Sequence, residues 1–274
     1  MWGCFPLYWA LLNHVNPSEV LIHRMLWAVP VLFLLVHFKP SWKNNFKESL
    51  SSKKELVFLF ITAILITINW GGYIYAVNLG RVVEASMGYF LSPVINMIGG
   101  YIFFHERISK LKQLAVLFAT VGALYYVFSG DSFPWLGFLV GFTFSAYGIA
   151  RKAMASSAVP GLYVETLILL PFLLIFSLWF YINYDIAFFN IDISTDILLF
   201  LAGAVTVAPL ALFTAGTKLL PLTTVGILFL ITPTIQFLIG YYLQNEAVNS
   251  NQLIGFVGVW AGLIIYSYAL VKNK

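Results

Sequence analysis

The chain has 274 residues, 61% of them hydrophobic and 9% charged, with a mean hydropathy of +0.89. A soluble domain carries about 25% charged residues, so this composition excludes an ordinary soluble enzyme or binding module and reads as an integral membrane protein. The net charge of +4 would suggest nucleic acid in a soluble chain; here the cations sort by membrane side, so the expected partner is the lipid bilayer and no nucleic acid.

Apolar segments follow one another at about 1–13, 19–38, 56–79, 82–104, 111–128, 134–154, 160–182, 196–217, 221–243 and 252–271. The first offers only about 20 Å of helix, too short to cross a bilayer. It is expected to be the remnant of a fuller helix whose start lies upstream. Connections are short, the longest being the basic stretch 39–54 and the stretch 183–195 with Asp185 and Asp192. Pro134, Pro160 and Pro221 stand at segment starts, where proline suits the first helical turn.

Counting Lys and Arg by alternate loops gives thirteen on one side, from Lys39 to Lys274, against Arg81 and Arg24 on the other. This bias predicts that both termini are cytoplasmic. The sequence also repeats itself. At a shift of 140 residues Pro93 meets Pro233, Gly100 meets Gly240, Tyr101 meets Tyr241, Glu106 meets Glu246, Gly122 meets Gly262 and Tyr126 meets Tyr266. Ser92 maps onto Thr232 and Asn96 onto Gln236, so a polar pair is kept in kind. Ten segments then divide into five and five. The reading is an all-α membrane protein of ten transmembrane helices in two five-helix repeats, 1–128 and 134–271, with the first helix truncated. An odd helix number inverts the second repeat against the first, and inverted repeats place a binding site near the midplane.

The segment 82–104 is long enough to span, yet polar or small groups recur in and beside it at every fourth residue. Glu84, Gly88, Ser92 and Asn96 form one slowly drifting stripe. Pro93 beside the stripe removes a backbone hydrogen bond that other groups must repair. Such a face belongs to protein or to an aqueous path. Pro93 and its repeat mate Pro233 are therefore expected as hinges, and Ser92, Asn96, Thr232 and Gln236 as lining a substrate pathway.

Few ionisable groups fall inside the segments, and such groups generally face a cavity or a partner. His23, Arg24, Glu84 and Glu165 are the candidates for a gate or a coupling site. Arg24 and Glu84 are expected to pair, in a permanent structural bridge or in a gate that exists in one state. A desolvated carboxylate could exchange a proton, which makes proton coupling an expectation. Among many aromatics, Trp70 and Tyr73 share a helix face near Asn69 and Gly72, with Tyr89 on the adjoining helix and Tyr147 further on. These four join the pathway set. Glu106 and Glu246 read as interfacial turn residues.

Signals of chemistry are missing from the sequence. It holds no phosphate-cradling Gly-rich loop, no HExxH, and no plausible Ser/His/Asp set among His14, His23, His37 and His105. Cys4 alone forms no disulfide and no metal cluster. No catalytic residue, metal or cofactor is expected.

The block AVNLGRVVEASMGYFLSPVINMIGGYIFFHERISKLKQLAV, with EVLIHRMLW before it and VETLILLP after it, resembles the RarD group of EamA-type transporters in the drug/metabolite transporter superfamily. EASxGYFxxP and HRxxW carry the resemblance, which runs through the whole chain. It implies a bacterial inner-membrane permease, an exporter or facilitator, with ten helices in two inverted repeats and a small metabolite or drug as substrate. Family members have a fuller first helix ahead of the WGxxPLYW match at Trp2 to Trp9. Two other classes stand beside this expectation. A membrane enzyme on lipid-linked substrates would need a charged cluster at one membrane face, and a non-transporting scaffold would leave the polar stripe surplus.

Overall fold

The computed structural model describes residues 1–78, 88–128, 135–243 and 250–272. Helix is the regular structure throughout the described residues, and six helical spans are long and apolar enough to cross a membrane: Pro17–Phe38, Lys53–Tyr73, Ala158–Asn183, Ile193–Leu219, Leu222–Ile239 and Leu253–Lys272. The protein is thus an all-helical membrane protein. Large apolar side chains such as Phe33, Leu34, Phe172, Ile175 and Ile264 are exposed on these helices, as lipid-facing surfaces require.

In chain order the helices are α1 (Phe5–Ala10), α2 (Pro17–Leu26), α3 (Ala28–Phe38), α4 (Pro40–Ser51), α5 (Lys53–Asn78), α6 (Ser92–Phe104), α7 (Lys110–Phe128), α8 (Trp135–Ala153), α9 (Ala158–Asn183), α10 (Ile193–Leu219), α11 (Leu222–Phe229), α12 (Ile231–Leu243) and α13 (Ser250–Lys272). Short 3-10 turns occupy Trp2–Cys4 and Gly88–Leu91.

Three apolar segments expected as single helices are broken, and a proline explains each break. Trp27 separates α2 from α3; Pro30 has no N–H to offer the Leu26 carbonyl. Leu230 separates α11 from α12, where Pro233 likewise leaves the Phe229 carbonyl without its helical donor. In 82–104 the described part begins as a 3-10 turn and becomes α-helix only at Ser92, with Pro93 in its first turn. Pro93 and Pro233 therefore sit where a helix restarts.

The basic stretch 39–54, expected as a loop, is mostly the helix α4. Pro40 starts it, and Trp42, Phe46 and Leu50 recur every fourth residue among lysines, the pattern of a helix lying at a membrane surface. Phe46 packs toward Leu59, Met154 and Val164, and the Lys39 ammonium lies 4.3 Å over the Trp42 ring.

The chain divides into two compact units. One comprises Met1–Leu7, Leu65–Ile149 and Thr217–Lys274. Its core joins Phe90, Ala115, Val116, Ala119, Ile227, Leu230, Phe256, Val259 and Tyr266. Here α7 and α13 approach through small residues. A Cβ on Gly122 would stand 2.6 Å from the Gly255 carbonyl oxygen and 2.7 Å from the Val259 nitrogen, while one on Gly262 would stand 2.6 Å from the Ala115 oxygen and 2.8 Å from the Ala119 nitrogen. Glycine lets these backbones touch. Glu106 closes another joint in this unit: both its carboxylate oxygens accept the Leu222 N–H that opens α11, at 3.1 and 2.9 Å.

The other unit comprises Tyr8–Ile64 and Ala150–Gly216. Leu12, Val15, Ala187 and Leu199 form one cluster within it. Carboxylates and amides hold its turns. Glu55 accepts the backbone N–H groups of Ala155 and Ser156, and Asn45 accepts from Ser157. Asp192 opens α10 by accepting from the Ser194 hydroxyl and the Thr195 N–H. Those two donors hold its carboxyl below the ordinary carboxylate range.

Candidate substrate site

In the unit built from Met1–Leu7, Leu65–Ile149 and Thr217–Lys274, an aromatic cluster gathers around Phe144 and Phe229. Their rings lie 4.9 Å apart between centroids. Trp2 meets each edge-on at 5.6 Å, and Tyr89 meets them at 5.5 and 5.3 Å. Tyr147, fully buried, stacks beside Phe144 at 6.5 Å. Edge-to-face rings of this kind hold their geometry better than aliphatic side chains would.

Polar groups border the cluster. Asn69 is 1% exposed; its Nδ2 donates to the Val140 carbonyl at 2.7 Å and to Thr143 Oγ1 at 3.3 Å. The Tyr89 hydroxyl donates to Asn69 Oδ1 at 3.5 Å, a long bond and therefore a weak one. Tyr73 packs with Tyr89 on Ala76, Leu136 and Val140. Gln236 Nε2 donates to the Trp2 carbonyl at 3.2 Å.

Ser92 and Asn96 are the unusual pair. They lie one turn apart on α6, 1% and 3% exposed. Ser92 Oγ and Asn96 Oδ1 have no hydrogen-bond partner among the described residues. Gly226 of α11 lies against the same face: a Cβ there would stand 2.9 Å from both Asn96 Nδ2 and Pro93 Cα. A buried hydroxyl and a buried amide oxygen without partners are costly in any interior, and such groups call for an explanation. Chemically the pair offers a hydroxyl, donor and acceptor, and an amide oxygen, acceptor only.

Of the expected pathway residues, the structure brings Tyr73, Tyr89 and Tyr147 to the aromatic cluster and ties Gln236 to Trp2. Ser92 and Asn96 share a buried face. Trp70 and Thr232 are half-buried, and Pro233 is buried next to Thr232. The cluster also holds Trp2, Phe144, Phe229, Thr143 and Gly226, which the sequence alone does not single out. The 140-residue shift offers one signal, since it carries Tyr89 onto Phe229.

The expected gate residues that the structure describes lie in the other unit. Glu165 is 3% exposed; its Oε1 accepts from Thr62 Oγ1 at 2.5 Å and from Arg151 Nη1 at 3.2 Å. Arg151, expected as a loop cation, is fully buried. Its Nη2 donates to the carbonyls of Ser157 and Ala158, and Gly161 leaves no room for a Cβ against the guanidinium. Removing Arg151 from the loop count leaves twelve cations against two, so the charge bias stands. Arg24 donates through Nε to Thr206 Oγ1 at 3.0 Å and lies 4.8 Å over the Trp9 ring. Glu84, the expected partner of Arg24, lies outside the described residues, as does Glu246. His23 is buried beside Trp27 and Glu19. Glu19 is an addition to the expected set, and its signal is the four-residue step to His23 on α2.

Comparison with known proteins identifies the family. The EamA-like transporter family matches residues 1–128. The uncharacterized transporter YojE of Bacillus subtilis (strain 168) is 38% identical, over 100% of this chain and 92% of its own. The uncharacterized transporter PA0485 of Pseudomonas aeruginosa is 35% identical, over 98% of this chain and 90% of its own. Protein RarD of Salmonella typhi is 33% identical over 97% and 90%. A solved crystal structure superposes with a TM-score of 0.71, covering 97% of this chain and 93% of that one at 15% identity, a likeness of fold.

Proposed function

This chain belongs to the RarD-type EamA transporters, and on that premise we propose that it is a secondary transporter moving a small metabolite or drug by alternating access. Its class, a multi-pass bacterial membrane transporter, follows from the family and the apolar helices. The substrate path is assigned to the aromatic cluster of Trp2, Tyr89, Phe144 and Phe229 and to the polar face of Ser92 and Asn96. The observation that carries it is the buried pair Ser92 Oγ and Asn96 Oδ1, a hydroxyl and an amide oxygen with no hydrogen-bond partner among the described residues. Evolution of a stable core would fill or satisfy them, whereas a binding face keeps them for the ligand.

The ten-helix inverted repeat is part of this reading, and helix positions support it. Lys53–Asn78 and Ile193–Leu219 start 140 residues apart. The Gly122 contact with residues 255 and 259 has its mate in the Gly262 contact with 115 and 119, each number shifted by 140. Such reciprocity is what a local two-fold relation produces. Inner-membrane location with both termini cytoplasmic follows from the loop charges, and Glu84 keeps its place as an outer gate.

Uptake by proteoliposomes tests the function. Labelled chloramphenicol, amino acids and nucleosides are offered to vesicles holding the purified protein. Saturable uptake of one of them, lost in Asn96→Leu at equal reconstitution, is the expected result. Empty-vesicle rates for every compound and every imposed gradient would refute transport of these classes.

A further inference from the structure

His23 is 2% exposed and Glu19 is 1% exposed, one turn apart in the span that begins at Pro17. The Trp27 indole N–H donates to His23 Nδ1 at 3.0 Å. An indole nitrogen can only donate, so Nδ1 must be bare. Neutral His23 therefore carries its proton on Nε2. That atom has no hydrogen-bond partner among the described residues and stands 4.0 Å from Glu19 Oε1, just beyond bonding reach. Glu19 is held as an acceptor: its two oxygens take the Ala187 N–H at 2.9 Å, and Oε1 also takes the Phe188 N–H at 2.9 Å. Backbone donors on both oxygens hold the carboxyl group in place.

Among the described residues, the charged groups named around His23 are Glu19, Arg24 and Asp196. Glu19 and Arg24 stand on the same helix as His23, and Arg24 is engaged by Thr206 and Trp9. Asp196 at the start of α10 is within electrostatic reach of His23, and its Oδ1 accepts from the Phe189 N–H. Tyr181 near the end of α9 lies within reach of Glu19. His14, ahead of α2, bonds to Thr195. Two carboxylates thus face one neutral imidazole and one engaged guanidinium.

We propose that His23 is a proton-binding site whose ring exchanges partners: the neutral form accepts from Trp27, and the protonated form donates to Glu19. A proton from water adds to Nδ1 and breaks the bond from the Trp27 indole, since an imidazolium has donors only. The Nε2–H then closes the gap to Glu19 Oε1 as a charge-assisted bond. The exchange bears on a joint of the fold. Trp27 is the residue between α2 and α3, its backbone is pressed by Gly203, where a Cβ would stand 2.3 Å from its carbonyl carbon, and its ring meets Phe200 at 4.7 Å. Phe188, bonded to Glu19 through its backbone, lies against the His23 ring at 4.5 Å. Protonation is thus felt both at the helix joint and at the turn ahead of α10. As the coupling site for transport, this assignment rests on the protein being a secondary transporter; as a proton site it stands alone.

Nitrogen-15 NMR of the full-length protein, labelled at His and Trp and held in nanodiscs, tests it without any substrate. His23→Gln assigns the His23 signals. The expected result is the Nε2–H form when His23 is neutral and the imidazolium on acidification, with the Trp27 indole signal moving in the same step. Trp27→Phe, which keeps an aromatic ring and deletes the donor, frees the tautomer; Glu19→Gln changes the proton affinity by about tenfold or more. An Nδ1–H form at high pH, or a His23 titration that leaves Trp27 unmoved, overturns the proposal. For coupling, wild-type proteoliposomes respond to an imposed pH gradient in uptake of the transported compound, and His23→Gln vesicles take it up without that response. A gradient response kept by His23→Gln overturns the coupling role. Absence of uptake in wild type refutes transport of the compounds offered, while the NMR result still decides the proton site.

Discussion

Tyr89 and Phe229 stand 140 residues apart in the chain, and their rings meet edge to face at 5.3 Å. Both rings also meet Phe144, and Trp2 meets Phe144 and Phe229, so the four form one aromatic cluster. Phe229→Ala deletes a ring that touches three others, and truncation of a packed phenylalanine costs about 3–5 kcal/mol. A clearly lowered melting temperature in detergent is expected. Tyr89→Phe removes only a long hydroxyl bond to Asn69 and should leave stability within about 1 kcal/mol. Equal losses for the two variants would show that the cluster is not held by ring packing.

Arg151 and Glu165 form a buried ion pair with Thr62 as third member. Breaking such a pair leaves a buried charge alone and costs about 3–5 kcal/mol, whereas replacing both partners by apolar residues is close to neutral. Glu165→Gln should therefore unfold at lower temperature, and Arg151→Met with Glu165→Leu should recover most of the loss. This pattern marks a fixed strut. A Glu165→Gln protein that melts like wild type but transports differently would make Glu165 the moving gate instead.

The contact of α7 with α13 depends on the absence of side chains at Gly122 and Gly262. Either glycine changed to valine sets a Cβ against backbone atoms of the facing helix, which cannot give way as a flexible side chain would. Both substitutions should lower the yield of folded protein from membranes, and by similar amounts, because the two approaches are equally close. Size-exclusion profiles of the solubilised variants measure it. Tolerance of both would mean that the helices separate at little cost.

Much of this is legible in the sequence, for physical reasons. Hydropathy locates the spans because lipid demands long apolar helices, and the four-residue stripe from Gly88 to Asn96 puts Ser92 and Asn96 on one buried face. The breaks at Trp27 and Leu230 are less visible, since a proline in the first turn of a restarted helix looks like one within a continuous helix. The helix α4 is hidden by its polarity, although Trp42, Phe46 and Leu50 mark its apolar side. Arg151 is misplaced by a loop count because a cation at a helix end ordinarily belongs to a loop; only the fold shows that Glu165 and two carbonyls enclose it. Phe144 and Trp2 carry no signal of their own. An apolar aromatic in a membrane helix has the same pattern whether it faces lipid or a path.

Asn96 separates the substrate-site reading from a packed core most sharply. Its Oδ1 is buried without a donor among the described residues, as is Ser92 Oγ one turn earlier. In a closed core, an unsatisfied buried group costs about 1–3 kcal/mol, and an apolar residue of similar shape relieves that cost. Asn96→Leu should therefore be as stable as wild type or more so, while substrate binding, which needs the carbonyl, is lost. That combination is the expected trade between stability and function. Access to the site can be read separately. Cys4 is exposed, so in a Cys4→Ala background the single changes Asn96→Cys and Gln236→Cys each present one new thiol. Both should react with a small aqueous maleimide in membranes, and added substrate should slow the reaction at residue 96. A destabilised Asn96→Leu that still transports, together with unreactive thiols at both positions, would mean that this face is dry packing and that the substrate passes elsewhere.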